Sequence, residues 1–147
     1  MAFILGLDAK LYRNDGTYGA PTWEEIGNVR DLTLGMEKGE ADVTVRASNG
    51  WRAIVGTLKE ATVEFEMVYD PADTEMDELR TAFLGTNVLL DMAVMDGDIS
   101  VAGTQGLRAD FSILSFGRTE ELEEALKVPV TMKPGYSLNA PTWMVIP

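Results

Sequence analysis

Asp70, Asp73 and Asp77 come nearest to an acid–base site in this chain, because clustered carboxylates can divide the roles of proton donor and acceptor. They open a helical stretch, however. There, acids accept hydrogen bonds from free backbone N–H groups and sit at the positive end of the helix dipole, which is the plainer account of them. A hydrolase working through Asp70 and Asp73 is therefore not favoured. Asp96-Gly97-Asp98 offers the oxygen ligands calcium takes, but the spaced acids and the final glutamate of a calcium loop are missing, and the segment reads as a tight turn. The glycines form neither a G-x-G-x-x-G fingerprint nor a Walker A loop. Trp23, Trp51 and Trp143 are scattered and read as core or interface anchors rather than a stacking platform for bases. With no His and no Cys, the chain has no Ser-His-Asp triad, thiolate nucleophile, disulfide, or His- or Cys-based zinc site. Nothing in these residues supports catalysis, a cofactor or a metal.

The elements around them belong to a chain of 147 residues, 46% hydrophobic and 24% charged, which is read as one folded domain, 1–147. The formal charge is −12, from 12 Lys+Arg against 24 Asp+Glu. That balance argues against a partner gripped by its phosphates, though not against one that must be kept from sticking. No segment has the ~18 consecutive apolar residues of a membrane-spanning helix. The N-terminus has no basic start and meets Asp8 early, so it does not read as a secretory signal, and the chain is expected to be made and folded in the cytoplasm.

The pattern is mostly extended. Phe3–Arg13 is apolar and ends in the turn signal Asn14-Asp15-Gly16. Trp23–Leu34 is extended with a break at Gly27-Asn28, Gly35–Gly39 is a polar stretch bracketed by glycines, and Glu40–Arg46 alternates. Asn49-Gly50 is the strongest hairpin signal, since both residues tolerate the positive φ of a type I′ turn, and it leads to Trp51–Gly56. Further strands are expected over Leu58–Tyr69, Asn87–Asp96 with a brief continuation through Val101, Leu107–Phe116 and Leu126–Met132; Pro129 lacks the N–H that a central ladder needs. One helix is expected, about 72–84, with Met76, Leu79, Arg80 and Phe83 on one side and Gly85 as its stop. The fold class is mainly β: an antiparallel sandwich or partly closed barrel with one helix and a long early inter-strand loop.

Leu58–Tyr69 alternates most cleanly. Ala61, Val63, Phe65, Met67 and Tyr69 point one way; Glu60, Thr62, Glu64 and Glu66 point the other. An ordinary sheet with one solvated face explains this in a monomer. The polar face is one-signed along the strand, and repeated around a ring it would form a negative wall.

Trp23–Leu34 (WEEIGNVRDLTL) and Ala47–Asp70 (ASNGWRAIVGTLKEATVEFEMVYD) resemble the early strands of bacteriophage tail tube proteins, also called major tail proteins. Lys127–Pro134 (KVPVTMKP) resembles that family's last core strand, so the resemblance covers about 23–134. It implies a non-catalytic structural protein of the virion tail that forms hexameric rings stacked into a tube, with DNA only as passing cargo. The implied partners are other copies of itself, a tape-measure protein and tail-terminator or tip proteins. The resemblance also implies that the helix packs outside the sheets, that Glu60, Thr62, Glu64 and Glu66 line the lumen, and that a loop between about Met36 and Trp51 reaches the next ring. Lys38, Glu40, Asp42, Arg46, Asn49 and Trp51 are the candidate stacking residues, and the basic residues Arg30, Lys38, Arg46 and Arg52 are candidates to pair with acids on the neighbouring ring. A tube from a related injection or secretion device, and a non-catalytic sandwich that binds a peptide or carbohydrate, stand as alternatives.

Overall fold

The computed structural model describes residues 3–147; Met1 and Ala2, at the start of the segment judged for a signal, lie outside the described residues. Eight antiparallel strands form one curved sheet, with a single helix against one face. The strands are β1 (Lys10–Asn14), β2 (Trp23–Glu25), β3 (Val29–Asp42), β4 (Ile54–Val68), β5 (Leu89–Met95), β6 (Gln105–Phe116), β7 (Lys127–Pro134) and β8 (Thr142–Val145). Their order across the sheet is β2-β1-β5-β6-β7-β4-β3. β7 and β8 share one edge of β6, β7 pairing with Phe111–Phe116 and β8 with Gln105–Arg108. This is the partly closed barrel expected from the strand pattern.

The core follows from the period of two. Val63, Phe65 and Met67 of β4 meet Val128, Val130 and Met132 of β7, and Leu107, Ala109, Phe111 and Ile113 of β6 continue the same apolar face. The helix α1 (Thr74–Leu84) closes over it with Met76, Leu79 and Ala82. Asp73 caps its start by accepting the Glu75 N–H at 3.1 Å, and Pro71 falls in the turn before. The buried side is rotated from the expected one. Arg80 is exposed and Phe83 lies at the margin, stacked on Phe116, while Glu75 turns inward to Arg13 of β1. Gly85 does end the helix, although its φ of −79° is one any residue can adopt.

The opposite face of the sheet is divided. Over β1, β5 and β6 it is covered by a small second core, in which Tyr12, Ala93 and Met95 pack with Trp23, Ile99, Met144 and Ile146. Over β3, β4 and β7 no element among the described residues covers it. Gly106 makes the covered half possible, because a Cβ there would stand 1.7 Å from the Val94 carbonyl oxygen.

Several boundaries differ from the expected ones. Phe3–Ala9 is not strand: it holds a short 3-10 turn at Gly6–Asp8, and β1 begins at Lys10. Gly35–Gly39 does not end β3, because pairing with β4 continues on both sides of it, Gly35 opposite Thr62 and Glu40 opposite Gly56, with a register shift at Gly39. Val101 continues no strand; Ser100–Gly103 is a turn held by Asp98, which accepts the Ser100 N–H at 2.9 Å. β8 falls in a tail that shows no clear period. Pro129 sits inside the sheet, but its backbone faces the end of β6, where Gly117 donates to its carbonyl at 3.3 Å. The missing N–H therefore falls where that ladder is already ending.

Candidate assembly surface

Two surfaces are left over once the core is accounted for: the bare face of β4 and the hairpin it forms with β3. On the bare face, Glu60 and Glu64 are exposed and Thr62 and Glu66 half-buried, so the four candidate lumen residues do stand together. Glu64 is flanked by Thr33 of β3 and Thr131 of β7, Thr62 by Gly35, and Glu66 by Pro129. The face is not one-signed across the sheet. Lys133 of β7 reaches Glu60 at 3.0 Å, while Glu37 lies directly opposite Glu60 on β3. A strand's own alternation reports its parity but not its neighbour's register, so Lys133 is invisible in the sequence. The uncompensated stretch is therefore Glu64 and Glu66, in a setting of small hydroxyls.

The hairpin is the more unusual feature. β7 pairs with β4 only from Val63 onward, so between Ile54 and Thr62 the β4 strand has β3 alone as a ladder partner. A two-stranded ribbon is marginal in water by itself. This one is exposed on both faces and still carries Met36, Ile54, Val55 and Leu58. The expected loop from Met36 to Trp51 is thus strand over its first part: Lys38, Glu40 and Asp42 belong to β3, and the irregular tip runs from residue 43 to 53. β3 continues past Gly35 and Gly39 because β4 pairs with it on both sides, with one register shift at Gly39. Arg46, Asn49 and Trp51 are on the tip. Asn49 (φ 55°) and Gly50 (φ 82°) form the left-handed turn, closed by the Trp51 N–H on the Ser48 carbonyl at 3.1 Å. That turn sits inside a wider tip instead of joining the two strands directly. Hydrogen bonds from the Thr44 hydroxyl and N–H hold the Asp42 carboxylate below its usual range and fix the tip's base. Trp51 is 78% exposed.

Where the arm leaves the body it borders a cleft of about 790 Å³, lined by Met36, Lys59, Leu107, Lys133, Pro141 and Trp143 among others. The acids weighed for chemistry serve the fold. Asp70 accepts the Ala72 N–H, Asp73 caps α1, Asp77 pairs with Arg80 at 2.8 Å, and Asp96 and Asp98 hold turns. Among the described residues no group of three or more acids stands in metal-binding geometry.

Over residues 8–134 the sequence matches the family model described as phage tail tube protein. The chain belongs to that family. Solved structures share its fold. A chain from the tail of an empty gene transfer agent particle, solved with C6 symmetry, aligns with TM-score 0.72 and 19% identity over 96% of this chain and 98% of that one. The SPP1 tail tube aligns with TM-score 0.66 and 13% identity over 88% and 74%. A chain of the six-fold symmetrised anti-feeding prophage baseplate gives TM-score 0.58 and 8% identity over 94% and 91%. No curated protein sequence matches. As a phage tail tube protein, the chain is a structural, non-catalytic subunit that belongs to the tail of a virion-type particle.

Proposed function

We propose that this tube protein assembles as hexameric rings stacked into a conduit for DNA, with 1–147 as one tube-forming domain and the bare β3–β4–β7 face turned to the bore. The observation that carries this reading is the asymmetry of the sheet: one face is filled by α1 and the core, while the other, over β3, β4 and β7, is left uncovered by any described element and is acidic at Glu64 and Glu66. Carboxylates on the bore repel phosphates, and with screening over about 8 Å at physiological salt a wall a few ångströms away is still felt. DNA then slides without binding. The six-fold symmetry of the gene transfer agent tail supports the ring number. A tape-measure protein inside the growing tube and terminator or tip proteins at its ends complete the partners of this reading. The arm reaches the next ring.

In the experiment that tests it, Glu64→Lys/Glu66→Lys is introduced into particles and DNA delivery is counted. The expected result is tubes of normal appearance with delivery reduced by about tenfold or more, since two cations per subunit turn a repelling wall into a binding one. Unchanged delivery would remove these residues from the bore. A tube of a related injection device is the second reading, favoured only by the likeness to the anti-feeding prophage chain; in such a device the same substitution leaves delivery of a protein cargo intact.

A further inference from the structure

The two ends of β4 carry opposite charge. At its start, the tip between Val43 and Ala53 holds Arg46 and Arg52 and no acid, in a chain of net charge −12. Arg52 comes no closer than 4.0 Å to Asp42, and Trp51 stands beside it in solvent. At the far end, Val68 pairs with Lys127, and the β6–β7 connection lies alongside, the Tyr69 N–H donating to the Leu126 carbonyl at 2.8 Å. That connection carries Glu120, Glu121, Glu123 and Glu124 around Leu122, which is 100% exposed. Arg118 holds Glu120, and Lys127 holds Glu124 at 2.6 Å, whereas Glu121 and Glu123 have no ion-pair partner among the described residues.

Each end therefore pairs an exposed large apolar side chain with unneutralised charge, and the signs are complementary. One chain cannot satisfy itself, because the 15 residues of β4 hold the two ends about 50 Å apart. A contact between different patches on successive copies is heterologous and propagates head to tail, as a growing tube requires. A ribbon that is marginal alone gains its stability where its tip is seated.

We propose that the arm tip of one subunit docks on the β6–β7 connection of a subunit in the next ring, Trp51 covering Leu122 and Arg46 and Arg52 meeting Glu121 and Glu123. This rests on the stacked-ring reading and names the surface that receives the arm.

The test is charge reversal, read as the protein concentration at half-maximal tube assembly by sedimentation, with monomer folding checked by thermal melting. Arg46→Glu/Arg52→Glu and Glu121→Lys/Glu123→Lys each raise that concentration by about tenfold or more, and the chain carrying all four reversals returns to within about threefold of the original. Raising salt weakens the original chain and the four-fold reversal alike. Assembly indifferent to either reversed pair, or not restored when the pairs are combined, overturns the docking assignment while leaving stacked rings intact. An original chain that forms no tubes at any concentration overturns the stacked-ring reading itself, and this inference with it.

Discussion

Arg13 and Glu75 tie the N-terminal strand to the helix and are the most buried ion pair described, their side chains 7% and 12% exposed. The guanidinium donates through Nε and Nη2, the latter at 3.2 Å, and these hydrogen bonds to Glu75 outweigh burial and push the arginine pKa further up. Breaking a buried pair by removing one partner leaves the other charge uncompensated. Arg13→Ala is therefore expected to cost about 3 kcal/mol in urea unfolding, and Arg13→Met with Glu75→Leu much less; equal losses for both variants would mean the charges are not what matters there. Arg108 does similar work on the opposite face. It lies over the Tyr18 ring at 3.9 Å and near Trp23 at 4.9 Å while its Nη2 donates to Asp91 at 2.6 Å, which pins the loop between β1 and β2. Neither pair was legible in the sequence, because their partners are 62 and 17 residues apart and only the fold brings them together. The parity of Glu60, Thr62, Glu64 and Glu66 was legible, since period-two alternation needs nothing beyond the strand itself.

At the scale of elements, the strands with the strongest alternation were found in place: Leu107–Phe116 lies within β6, and Leu58–Tyr69 overlaps β4, which starts four residues earlier at Ile54 and takes in part of the expected Trp51–Gly56 strand. Failures fell where a neighbour overrides local signals. Gly35–Gly39 read only as a polar, glycine-bracketed stretch, yet β4 carries β3 through it with one register shift at Gly39. The helix's buried side turned toward Glu75 because a cation waits there. β8 is too short and irregular for its pattern to show, and it forms because β6 offers an unpaired edge below β7. The arm is the element whose sequence makes sense only in an assembly. Replacing residues 43–53 by a two-residue Asn-Gly turn, which keeps every ladder pair up to Asp42 and Ile54, is expected to leave the melting temperature of the monomer within about 3 °C while abolishing tube growth. Tubes of normal length from that variant, seen by negative-stain microscopy, would end the assignment of the tip to stacking.

The whole molecule divides its labour between two faces of one sheet. α1 and the main core make the subunit self-sufficient on one side; on the other, a small core holds the β1–β5–β6 half and leaves the β3–β4–β7 half bare. Much of the charge of −12 is spread over turns and helix caps, so acidity alone does not mark a bore; the proposed bore rests on the stretch at Glu64 and Glu66, with Glu60 already answered by Lys133. Sequence resemblance reached the family and the acidic strand; the structure adds that Lys133 answers Glu60 and that the first part of the expected loop is strand, with the irregular tip at the end of a two-stranded ribbon. The measurement that bears most directly on this account is a cryo-electron microscopy reconstruction of tubes grown from the purified protein. The account predicts six subunits per ring with Glu64 and Glu66 on the inner wall and α1 outside; tubes with those glutamates on the outer surface, or a ring of another order, would contradict it.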